Sequence, residues 1–115
     1  MEHPVVHFEI LGPDGPALQR YYTELFGWQI DSNNPPNYGI VTPIAPGIGG
    51  GVSASQDGTS FLTFYVNTDD LQASLDKAVA LGGTKVMDPT DIPGGPSIAM
   101  FTDPQGNTVG LVKGM

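Results

Sequence analysis

The chain has 115 residues, and its 12 Asp and Glu outnumber its 4 Lys and Arg, which gives a formal net charge of −8. Without a basic stripe, it lacks the groups that bind nucleic-acid phosphates or an anionic membrane surface. It contains no Cys, which excludes disulfides, thiolate metal sites and cysteine nucleophiles. The N-terminus does not resemble a signal peptide, and no stretch approaches the length of a membrane span, so we expect a cytoplasmic protein.

The first half of the chain predicts a strand, a helix and three more strands. Apolar and polar residues alternate over residues 4–11, which predicts the first strand. The helix follows Asp14, has Pro16 at its first position, carries an apolar stripe at helical spacing and ends at Gly27. Three further strands are predicted at residues 28–30, 38–42 and 51–55.

The second half repeats this order. A strand is predicted at residues 61–67, and Thr68 or Asp69 is expected to cap a helix that ends at Leu81. Further strands are predicted at residues 84–87, 97–101 and 107–112. We therefore predict a single domain over residues 1–115, made of two modules at about 4–55 and 61–113. The modules should share one core, because a unit this small cannot bury its apolar face alone.

Three segments carry a resemblance to a known family. They are Val-His-Phe-Glu-Ile at 6–10, Tyr-Tyr-Thr-Glu-Leu-Phe-Gly-Trp at 21–28 and Phe-Thr-Asp-Pro-Gln-Gly-Asn at 101–107. In this order and spacing they resemble the vicinal oxygen chelate superfamily, the glyoxalase, bleomycin-resistance and ring-cleaving dioxygenase group. The resemblance implies an α+β fold, in which two βαβββ modules form a curved mixed-sheet cleft. It also implies a homodimer.

Strand alternation predicts which side chains face the cleft. His7 and Glu9 point to one side of the first strand, and Thr63 and Tyr65 point to the corresponding side of the second module's first strand. We expect the alternate residues to pack on helices: Val6, Phe8, Ile10, Leu62, Phe64 and Val66. The candidate ligand-binding residues are therefore His7, Glu9, Thr63 and Tyr65, with apolar contact from Trp28, Met100 and Phe101.

A metal site is not predicted. The resemblance implies that metal-dependent members take ligands from four equivalent positions, which here are His7, Gly51, Thr63 and Gly110. Only the histidine is a good ligand, because glycine has no side chain and a neutral hydroxyl binds zinc or iron poorly. An atypical site on His7, Glu9 and His3 stays open, although four strand residues separate the two histidines by about 13 Å. We predict no cofactor.

Two functions are open at this point. The first is a metal-free, bleomycin-resistance-like protein that binds a small organic molecule in the clefts of a homodimer. The acidic charge favours a cationic ligand, and aromatic residues such as Tyr38 and Tyr65 favour an aromatic one. The second is a glyoxalase-like lyase or isomerase in which His7 or Glu9 acts as acid or base, or completes an atypical metal site.

Overall fold

A computed structural model describes residues 2–115, which divide into two compact units. The first unit is His7–Leu62, and the second comprises residues 2–6 together with Thr63–Met115. The first half of the chain forms β1 (Val5–Gly12), α1 (Gly15–Phe26), β2 (Ile30–Asp31), β3 (Gly39–Val41) and β4 (Gly50–Ala54). The second half forms β5 (Phe61–Asn67), α2 (Leu71–Ala80), β6 (Thr84–Asp91), β7 (Ser97–Thr102) and β8 (Thr108–Lys113). Each half thus has the predicted βαβββ order.

The first unit places its strands in the order β2-β3-β4-β1, with β1 parallel to β4 and the other pairs antiparallel. Helix α1 packs on β4. The Asp14 side chain caps α1 by accepting a hydrogen bond from the Ala17 amide at 3.0 Å, and Gly27 ends it with a left-handed φ of 70°. These helix limits confirm the sequence prediction.

The second unit has the matching order β5-β8-β7-β6, with β5 parallel to β8. Helix α2 lies over β6, β7 and β8. The buried core of this unit is formed by Leu71, Leu75, Ala99 and Leu111, with Val66 and Phe101 packed against it.

Two details of the second unit differ from prediction. Neither Thr68 nor Asp69 caps α2, because Asp70 accepts from the Ala73 amide at 3.0 Å while the Thr68 hydroxyl is hydrogen-bonded to another side chain. Strand β6 continues past Pro89 to Asp91. It tolerates the proline because β6 is an edge strand with irregular pairing to β7.

The expected burial of several apolar side chains is also wrong. Leu62 is 72% exposed and Phe64 is 42% exposed, whereas Thr63 and Tyr65 are buried. Helix α2 lies over the other strands of its unit, so of the three residues expected to face it only Val66 reaches its core. The predicted apolar stripe of α1 is present and is largely exposed at Tyr21, Leu25 and Phe26.

Neither helix within residues 2–115 is long and apolar enough to span a membrane.

Candidate functional site

Three polar side chains meet on one face of the first unit. The Tyr38 hydroxyl donates a hydrogen bond to Glu9 Oε2 at 2.8 Å. The hydroxyl oxygen of Tyr38 also lies 3.0 Å from His7 Nε2, and the Tyr38 and His7 rings stack with their centroids 6.4 Å apart. All three residues are half-buried. We call His7, Glu9 and Tyr38 the polar cluster.

Strand pairing brings these residues together. His7 and Glu9 are two apart on β1, so they project to the same side. Glu9 pairs with Gly51 on β4, and Gly51 in turn pairs with Ile40 on β3. Tyr38 precedes Ile40 by two residues and shares its side of the chain. Three neighbouring strands therefore deliver the cluster to one face.

Gly51 makes room for the cluster. A Cβ atom added at residue 51 would overlap the Oη and Cζ atoms of Tyr38. The phenol therefore lies directly across β4, in the space where a longer side chain at this position would begin. Glycine is required at residue 51 for the cluster to form as it stands.

The Asn34 side chain holds the backbone of Tyr38 from both sides. Asn34 Nδ2 donates to the Tyr38 carbonyl oxygen at 2.7 Å, and the Tyr38 amide donates to Asn34 Oδ1 at 2.9 Å. Between them, Asn37 has a left-handed φ of 56° and donates its amide to the Asn34 carbonyl at 2.8 Å. These contacts fix the residue that carries the phenol although β3 begins only at Gly39.

The electrostatics of the cluster favour a neutral imidazole beside a carboxylate. Burial lowers the pKa of His7 below its usual 6.5, because desolvation penalises the charged ring. The negative charge of Glu9 acts in the opposite direction but is the smaller effect. His7 is therefore mainly uncharged at neutral pH, so the cluster carries net negative charge.

A tyrosine ring also covers the corresponding glycine of the second unit. Tyr65 pairs with Gly110, and a Cβ atom added at Gly110 would overlap the Tyr65 ring. Tyr65 is 6% exposed, and the Thr63 hydroxyl donates to the Thr108 carbonyl at 2.8 Å. Within this unit the Thr63 hydroxyl is thus hydrogen-bonded and the Tyr65 ring packs over Gly110, and a ligand contact by either side chain stays a prediction.

The two predicted apolar contacts, Met100 and Phe101, are adjacent on β7 and therefore lie on opposite faces of the sheet. Met100 pairs with Gly110 and so lies on the face that carries Tyr65. Phe101 points the opposite way and packs against the α2 core. The role of each as a ligand contact stays a prediction.

Trp28 lies away from the polar cluster within the first unit. Its ring stacks on Tyr22 at 5.4 Å and contacts Phe26 at 5.2 Å and Phe8 at 5.4 Å. Phe8 alternates with His7 and Glu9 on β1, so this aromatic group is on the opposite face. A ligand contact by Trp28 would have to occur on that helix-bearing face.

The residues at the four implied metal positions do not fit a metal ion. The Tyr38 and Tyr65 rings occupy the space that a ligating side chain at Gly51 or Gly110 would need. The Thr63 hydroxyl donates a hydrogen bond to a backbone carbonyl. His3, the other histidine, has its Nδ1 3.2 Å from the Asn67 carbonyl oxygen. Within residues 2–115, no three His, Asp or Glu side chains are grouped closely enough to hold a metal.

The alternation along β1 predicted that His7 and Glu9 lie together, but no pattern in the sequence indicated that Tyr38 and Asn34 complete the site. Tyr38 was expected only as a stacking ring. One signal could have found Tyr38: it lies two residues before Ile40, which pairs with Gly51 on β4. That signal can be interpreted only once the register of β1, β4 and β3 is known.

Known proteins resemble this chain along most of its length. The model of the Glyoxalase/Bleomycin resistance protein/Dioxygenase superfamily matches residues 5–111. A "Glyoxylase-like domain-containing protein" of Didymella fabae is 30% identical over 118 aligned residues, which cover 90% of this chain and 92% of that protein. A Mycobacterium tuberculosis protein named "Putative glyoxylase CFP32" is 35% identical over 106 residues, or 85% of this chain. The chain spans about two fifths of that relative, 41% of its length.

The fold also matches solved structures. The crystal structure of methylmalonyl-CoA epimerase from Mycobacterium tuberculosis superposes with a TM-score of 0.70 over 95% of this chain and 86% of that one. The identity is 13%, so the likeness concerns the fold alone. It confirms the predicted α+β, glyoxalase-like fold. With the family model matching nearly the whole chain, this protein belongs to the glyoxalase, bleomycin resistance protein and dioxygenase superfamily.

Proposed function

We propose that this protein binds a small organic molecule without a metal, and that the polar cluster contacts the ligand. The observation that carries the proposal is the position of the Tyr38 hydroxyl. It fills the space that a ligating side chain at residue 51 would need, and it is hydrogen-bonded to both His7 and Glu9. A preformed set of imidazole, phenol and carboxylate can orient a ligand by hydrogen bonds and charge alone.

The chemistry of the cluster favours an organic cation. Glu9 supplies a negative charge that the neutral His7 does not cancel, and the net charge of −8 attracts cations from a distance. The Tyr38 and His7 rings add aromatic faces on which a cation or a flat ring can stack. Aromatic amines combine both features and are the ligand class that we propose.

The functional form that we propose is a homodimer. Helix α1 exposes Tyr21, Leu25 and Phe26, each by more than half of its surface. A group of large apolar side chains on one helix is typical of a surface that a partner covers. The superfamily resemblance favours a second copy of this chain as that partner.

Ligand binding is tested with a panel of aromatic amines, measured by isothermal titration against the wild type and two charge variants. Glu9→Gln removes the carboxylate charge but keeps an acceptor for Tyr38, and we expect it to weaken cation binding by about tenfold or more. Glu24→Gln makes the same change at an exposed position on α1 and should leave the affinity unchanged. Equal affinities for wild type and Glu9→Gln would contradict this site.

A proton-transfer enzyme is the second candidate function, as a glyoxalase-like lyase or isomerase. It is favoured by one observation, a half-buried neutral histidine joined through a phenol to a carboxylate. Such an imidazole can accept a proton near neutral pH. We expect turnover on a panel of α-ketoaldehydes, epoxides and thiols to lose one limb of its pH–rate profile in His7→Asn. No turnover on any of these substrates would leave this candidate without support.

A further inference from the structure

An apolar groove of about 660 Å³ runs beside α1 in the first unit. The end of β1, one side of α1 and the segment that leads into β5 enclose it, and its apolar lining includes Ile10, Leu18, Tyr21, Tyr22, Phe61 and Leu62. Leu62 is 72% exposed and Tyr21 is 58% exposed. Among the described residues of the lining, Asp14 is the one charged group. We call this surface the α1 groove.

The exposed side of α1 carries one positive and one negative charge. Arg20 and Glu24 are the charged residues of Gly15–Phe26, so the helix has no net charge although the chain carries −8. They are about one turn apart and lie on the same edge of the exposed stripe formed by Tyr21 and Leu25. The ion pair found within residues 2–115 is Lys85–Asp88. Arg20 and Glu24 are therefore not paired with each other, and arginine before glutamate is the less favourable order within one helix.

We propose that α1 of a second copy of this chain docks antiparallel in the α1 groove, and that Arg20 of each copy pairs with Glu24 of the other. This inference rests on the proposed function, because it assigns the surface through which the proposed homodimer forms. When a two-fold axis relates two antiparallel helices, the same edge of each helix meets and the residues run in opposite order. The arginine of one copy then faces the glutamate of its partner, and the contact occurs twice.

Electrostatics favour a second copy as the occupant. Two chains that each carry −8 repel each other across most of their surfaces. The repulsion is weakest where a surface has no net charge, and α1 meets this condition. Its two charges are also self-complementary, so each copy supplies the group that the other needs. Tyr21, Leu25 and Leu62 are each more than half exposed, and an apolar patch of this kind is typical of a surface that a partner covers.

Charge reversal tests the ion pairing between copies. In a homodimer of Arg20→Glu every facing group is negative, and in a homodimer of Glu24→Arg every facing group is positive. Each variant alone should dimerise roughly tenfold or more weakly than wild type, because two rim contacts change from attraction to repulsion. An equimolar mixture should form heterodimers with an affinity within about threefold of the wild-type value, because opposite charges face each other again.

Two features make this test specific. Glu24→Arg makes the chain less negative, so an effect of net charge alone would strengthen its dimer rather than weaken it. Rescue on mixing requires a contact between copies, because neither a pair within one helix nor a misfolded variant can produce it. Lys77→Glu is the control, since it makes the same charge change as Arg20→Glu at an exposed residue of α2 and should dimerise like wild type. Glu24→Gln removes the attraction without adding repulsion, so it should remain dimeric at titration concentrations.

A pair of leucine variants tests the groove. Leu62 and Leu81 are both 72% exposed, so exposure alone predicts the same effect for both. Leu62→Glu places a charge in the α1 groove and should weaken dimerisation by roughly tenfold or more, because an apolar surface would have to bury it. Leu81→Glu makes the same change at the end of α2 and should leave the dimer intact.

Sedimentation equilibrium gives the dissociation constants, and native mass spectrometry identifies heterodimers by their mass. A mixture of Arg20→Glu and Glu24→Arg that forms no heterodimer would overturn the pairing, and a Leu62→Glu dimer as stable as that of Leu81→Glu would overturn docking in the groove. In either case a dimeric wild type leaves the proposed dimer standing on another surface. A wild type that stays monomeric overturns both. The titration with aromatic amines decides the proposed ligand function separately.

Discussion

Gly51→Ala tests whether the phenol lies where the structure places it. The added methyl group would overlap the Oη and Cζ atoms of Tyr38, so the ring must leave its position or β4 must shift. If the ring leaves, the protein loses one neutral hydrogen bond to His7 and one to the Glu9 carboxylate. We expect the free energy of unfolding to fall by about 2–3 kcal/mol, which lies within the roughly 1–3 kcal/mol that overpacking a fitted site costs.

A double-mutant cycle tests whether the loss of stability in Gly51→Ala comes from the contact between the added methyl group and the Tyr38 ring. A Tyr38→Ala background removes the three atoms nearest to the added methyl group. Gly51→Ala should then be neutral or stabilising by about 0.5–1 kcal/mol, because it restricts the unfolded chain. Gly12→Ala is the control, since its added methyl group would lie at an ordinary 3.4 Å from a Leu18 methyl group. Urea unfolding measures all variants. A similar cost for Gly51→Ala in both backgrounds would refute the placement of Tyr38.

Three further predictions concern the pH dependence, the second helix and the helix surface. Because burial lowers the pKa of His7, the unfolded chain binds a proton at a higher pH than the folded protein does. The contribution of His7 to stability is therefore full above about pH 6.5 and is lost as the pH falls through the lowered pKa. The melting temperature of His7→Asn should depend less on pH in this range than that of the wild type. Asp70→Ala should lower the unfolding free energy by about 1 kcal/mol, and Asp69→Ala by much less, in urea titrations. Leu25→Glu should shift sedimentation from dimer to monomer with the helix content unchanged, and a monomeric wild type would contradict the proposed dimer.

Local signals in the sequence predicted the elements well, because those signals act over a few residues. Asp14 and Gly27 mark both ends of α1 through a side-chain cap and a left-handed backbone. Strand β5 has the predicted limits Phe61–Asn67. The prediction of burial on β5 was wrong, because which side of a strand is covered depends on where a distant helix packs.

The polar cluster was predictable only in part for the same reason. Alternation along β1 places His7 and Glu9 on one side without any tertiary information. Tyr38 joins them across 31 residues of chain, and its arrival depends on the pairing of β1, β4 and β3 and on the missing side chain at Gly51. The sequence alone shows that residue 51, a glycine, cannot provide a metal-ligating side chain. Only the structure shows that the Tyr38 phenol occupies the space of the missing side chain.

The most direct test of a metal-independent site is the metal content of tag-free protein that has been purified without chelator, measured by elemental mass spectrometry. The occupation of the residue 51 position by the Tyr38 phenol predicts less than about 0.1 equivalent of zinc, iron, nickel or manganese per chain, well below the stoichiometric loading of a tight site. Near-stoichiometric metal that is lost in His7→Asn would contradict the proposal and show that other carboxylates complete a site around His7.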